Sequence, residues 1–64
     1  MDELNIAVEL VTVAIEKLNI ESEEYYRNGD NYRGNIRHDA ANKLKFDLER
    51  LIIARDYIAI ALKK

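Results

Sequence analysis

Leu44-Lys45-Phe46-Asp47-Leu48-Glu49-Arg50-Leu51-Ile52-Ile53-Ala54-Arg55-Asp56-Tyr57-Ile58-Ala59-Ile60-Ala61-Leu62 is the stretch whose reading decides the architecture. It contains neither Gly nor Pro, and its apolar residues recur at the three- and four-residue spacing of an α-helix. At about 100° per residue, Leu44, Leu48, Leu51, Ile58 and Leu62 share one stripe, while Phe46, Ile53, Tyr57 and Ile60 lie about 180° away. One neighbouring helix can cover only one of these stripes. The second stripe therefore calls for another copy of the chain or for a different protein.

Outward from this helix, the chain breaks once. Proline is absent, and both glycines fall in the polar window Asn28-Gly29-Asp30-Asn31-Tyr32-Arg33-Gly34-Asn35. Gly and Asn tolerate positive φ, and Asp and Asn bond nearby backbone groups, so the window is expected to be a turn over about residues 28–35. Helix 1 is then expected over about 2–28 and helix 2 over about 35–63, or from about Asn31, with Asp30, Asn31 and Asn35 as the N-cap candidates. The whole chain is a single helical-hairpin domain.

Helix 1 carries the seam Leu4, Val8, Val11, Ile15, Leu18, with alternating spacings of four and three. Its polar stripe, Asn5, Glu9, Thr12, Glu16, Asn19, Glu23, is narrow. Ile6, Leu10, Val13 and Ile20 widen the apolar arc to roughly 240°, more than one neighbour covers. The β-branched residues Val8, Val11, Val13 and Ile15 favour strands in isolation, but the helical period and the unbroken length outweigh that preference.

At 64 residues the chain is near the size at which one core barely offsets chain entropy. It has no cysteine, so no disulfide or thiolate metal site supplements that core. Association is the remaining means. The fold class is therefore all-α: a long antiparallel helical hairpin, expected to dimerise into a four-helix bundle. Ile6, Val13, Phe46, Ile53, Tyr57 and Ile60 are the expected oligomer interface.

Charge is unevenly divided. Residues 1–26 hold seven acids and one lysine, whereas residues 27–64 hold nine bases and five acids. An acidic helix beside a more basic one favours antiparallel pairing within the hairpin, and equally favours helix 1 meeting helix 2 of a second copy. The acidic start Met1-Asp2-Glu3 is unlike the basic start of a signal peptide, and no uncharged run is long enough to span a bilayer. A cytoplasmic location with no membrane partner is expected.

Three groups of residues could carry chemistry. His38-Asp39 is a potential acid-base pair, but neighbours on a helix point about 100° apart and no second histidine exists. Glu21 and Glu24 form an E-x-x-E pair, the arrangement that presents two carboxylates to a hard cation. With Asp39-x-x-Asn42 following the turn, residues 21–55 loosely resemble the helical nucleotide pyrophosphohydrolases of the MazG type, which hold magnesium with E-x-x-E and E-x-x-D. The resemblance implies magnesium-dependent pyrophosphate release, but Asp39 and Asn42 stand where the family has Glu and Asp. Tyr25, Tyr26, Arg27, Tyr32, Arg33, Arg37 and His38 cluster about the turn and suit protein contact. With Lys43 and Lys45 the arginines also suit nucleic acid, although Glu23, Glu24, Asp30 and Asp39 lie among them. Arg55 interrupts the first stripe of helix 2, where it either pairs with a carboxylate such as Glu9 or Glu16 or snorkels to water.

No phosphate loop, nucleophile elbow or zinc spacing occurs, so no catalytic residue, metal or cofactor is expected. The expected function is that of a small non-enzymatic protein-binding regulator or inhibitor, of the sort that phages and mobile elements encode. A nucleic-acid-binding dimer is the alternative, and a magnesium pyrophosphohydrolase the second.

Overall fold

The computed structural model describes residues 2–63, which form two α-helices, α1 (Asp2–Arg27) and α2 (Asn31–Lys63), packed as an antiparallel hairpin 54 Å long and 16 × 11 Å across. The turn is only three residues long, which makes it tighter than the expected window. Gly29, at φ +80°, ends α1: its N–H donates to the Tyr26 carbonyl at 3.1 Å, and the Asp30 N–H donates to the Tyr25 carbonyl at 2.8 Å. This is a Schellman closure, in which a left-handed residue lets its own amide and the next one satisfy the last carbonyls of the helix. Asp30 then starts α2, its Oδ1 accepting the Arg33 N–H at 3.1 Å, so it is the N-cap among the three candidates.

Helix 2 therefore begins at Asn31 and absorbs Tyr32, Arg33, Gly34 and Asn35, which had the composition of a turn. The reason is tertiary. Gly34 is buried against the Tyr26 ring, and its carbonyl accepts the buried Ser22 hydroxyl at 2.9 Å. Tyr26 Oη in turn donates to Asn35 Oδ1 at 2.5 Å. A glycine costs about 1 kcal/mol inside a helix relative to alanine, but here the missing Cβ admits the ring.

The seam of α1 follows its heptad spacing: Leu4, Val8, Val11 and Leu18 are half-buried and Ile15 is buried. On α2 it runs through Gly34, Ala41, Leu44, Leu48, Leu51 and Arg55. The small residues Ser22, Gly34 and Ala41 are among the most buried in the molecule, as close helix approach near the turn requires. Thr12 and Asn19, read as part of the polar stripe, are half-buried beside the seam, and Thr12 Oγ1 donates to its own helix at the Val8 carbonyl. Toward the open end the seam residues are half-buried, whereas Ile15, Ser22, Gly34 and Ala41 are buried. Arg55 Nη1 lies 3.4 Å from Asn5 Oδ1, so α1 runs out opposite roughly residue 58. Leu62, expected on the covered stripe, is 72% exposed because α2 is the longer helix and projects past α1.

Among the described residues no helix is long and apolar enough to cross a membrane.

Candidate functional site

The two outer edges of the hairpin are apolar. On α1, Ile6, Leu10, Val13 and Ile20 point away from α2 and are all more than half exposed. On α2, Phe46, Ile53, Tyr57 and Ile60 do the same, with Ile53 68% exposed. Since each helix turns one seam toward its partner and the other about half a turn away, the two open faces lie on opposite edges of a slab one helix thick. A row of acids at seven-residue intervals, Glu9, Glu16 and Glu23, follows one edge of the α1 face, which also carries Lys17; Lys43 and Arg50 flank the α2 face on one side and Glu49 and Asp56 on the other. Among the described residues Glu9, Glu16, Lys43 and Arg50 take part in no ion pair. The apolar periodicity located these faces. The free charges beside them were readable as the same seven-residue repeat.

The tip near the turn is organised differently from the edges. The guanidinium carbons of Arg37 and Arg33 sit 5.3 and 5.9 Å from the centroid of the Tyr25 ring, within cation–π range. Arg37 Nε also donates to Glu21 Oε2 at 3.2 Å, and Arg33 Nε lies 3.5 Å from Asp30 Oδ2. Arg27 pairs with Glu23 at 3.8 Å on the surface. Tyr25, Tyr26, Arg33 and Arg37 thus tie the two helices or the turn together. Tyr32, at 77% exposure, is the one aromatic of this group that stands clear.

The groups with chemical potential are scattered. His38 Nδ1 lies 3.9 Å from Asp39 Oδ1 and 3.4 Å from Asn42 Nδ2, with all three residues exposed. The carboxylates implied by the pyrophosphohydrolase resemblance do not gather: Glu21 is engaged by Arg37, and among the described residues no three His, Asp or Glu side chains converge as a metal site. Three of the five bases of a nucleic-acid face, Arg27, Arg33 and Arg37, are paired with Glu23, Asp30 and Glu21. Arg55 is paired with neither Glu9 nor Glu16. It reaches Asn5 across the seam and Asp56 beside it, keeping a partly exposed head, which combines pairing with snorkelling.

The chain matches no protein-family model, no curated protein and no solved structure.

Proposed function

We propose that this chain is a small non-enzymatic protein-binding protein, a regulator or inhibitor in the cytoplasm, that works as a helical hairpin associated with at least one further copy. The observation that supports this reading is the pair of open apolar faces on opposite edges of the slab. Apolar side chains this large, aligned along a whole helix edge, are a recognised mark of protein contact. Phe46, Arg50 and Tyr57 lie together on the α2 face and are of the residue types that dominate binding energy at interfaces. Tyr32 at the tip adds a further exposed aromatic contact.

The test is affinity purification from the native host, run in parallel with the wild-type chain and with Val13→Glu and Ile53→Glu. A protein retained by the wild type and lost from one variant, at unchanged helix content, is the expected result. Recovery of the same set of proteins by all three would overturn the reading.

A further inference from the structure

The geometry points to a second copy of this chain as the occupant of each open face, with α1 of one copy lying against α2 of the next in a heterologous, edge-to-edge contact. The inference rests on the binding role proposed above and names the partner for those faces. Three observations carry it. The rows Ile6, Val13, Ile20 and Phe46, Ile53, Ile60 have the same seven-residue period and the same length, so they can pair along their full extent. The charges beside them are complementary when the two helices run parallel, which sets Glu9 toward Arg50 and Lys17 toward Asp56, whereas an antiparallel contact would set Glu9 and Glu16 against Glu49 and Asp56.

The third observation is the angle between the two seams of each helix. In a closed four-helix bundle each helix meets two neighbours on sides separated by about 90°. Here the covered and open seams lie about half a turn apart, so side-by-side hairpins form a flat layer. Two copies make a layer of four helices whose ends still present one α1 face and one α2 face. Such a contact does not close on itself, and the assembly grows with concentration.

Complementation between edge variants tests this. Val13→Glu places a carboxylate on the α1 face and leaves the α2 face intact, and Ile53→Glu does the reverse. Each variant alone is expected to lose self-association by more than about tenfold. An equimolar mixture is expected to recover a species of two chains that does not grow further, because each chain supplies the edge the other lacks. The proposal is overturned if either variant alone associates like the wild type, or if the mixture stays monomeric while circular dichroism shows both chains folded. Should a variant unfold, disulfide trapping in the cysteine-free background serves instead. A mixture of Val13→Cys and Ile53→Cys chains is expected to give 13-to-53 cross-links in preference to 13-to-13, and the opposite preference would overturn the proposal. A purified chain that stays monomeric while face variants still lose a captured host protein would sink the edge-to-edge contact and leave the binding role standing.

Discussion

Tyr26 lies so close to the backbone of Gly34 that a Cβ at position 34 would stand 2.6 Å from its Cε1 atom. No Cβ survives at that distance, so any side chain there displaces the ring and breaks its hydrogen bond to Asn35. Gly34→Ala is therefore expected to destabilise the hairpin by about 1 kcal/mol even though alanine is the better helix former. In a Tyr26→Ala background the sign reverses, and Gly34→Ala stabilises by up to about 1 kcal/mol. Chemical denaturation of the four chains at one fixed concentration closes the cycle. Equal effects in both backgrounds would show that ring and glycine are independent.

Ser22 is buried and donates to the Gly34 carbonyl across the interface. Ser22→Ala removes one hydrogen bond and little volume, and is expected to cost about 1 kcal/mol. Ser22→Leu forces the helices apart at their closest approach and is expected to cost about 2 kcal/mol or more. A leucine tolerated at wild-type stability would mean that the helices do not approach closely at this point.

At the turn, Gly29 has open space around it but a φ of +80°. Gly29→Ala is expected to cost about 1 kcal/mol through backbone strain, with Gly29→Asn costing less because asparagine tolerates that region. Asp30→Ala removes the N-cap of α2 and is expected to cost about 1 kcal/mol. Thermal melts at matched concentration measure both.

Arg55 occupies an otherwise apolar line on α2 between Leu51 and Ile58, and its head is only partly covered. Arg55→Leu extends the apolar seam opposite Asn5 and is expected to raise stability by up to about 1 kcal/mol. A loss of stability would assign the Asn5 contact a larger role than an exposed hydrogen bond ordinarily has.

These residues also show where the fold was legible and where it was not. Two helices and the seam from Leu4 to Leu18 follow from local periodicity, a property each helix carries by itself, and their antiparallel pairing follows from the single short break that joins them. The extent of the turn did not follow, because Gly34 and Asn35 have turn composition yet serve helix packing through Tyr26, a residue eight or nine positions away. The exposure of Leu62 was hidden for a similar reason: periodicity assigns a face but says nothing of where the neighbouring helix stops. At the tip, Tyr25, Arg33 and Arg37 were conspicuous as a basic aromatic cluster, and only their mutual distances reveal that they hold the hairpin together.

The association of one copy with the next depends on the outer faces adhering to each other in water. The direct measurement is the mass of the purified chain by sedimentation equilibrium across a concentration series reaching well above the micromolar range. The expected result is a weight-average mass that rises past twice the 7.5 kDa of a single chain as concentration increases. A folded species that holds the mass of one chain throughout would contradict it.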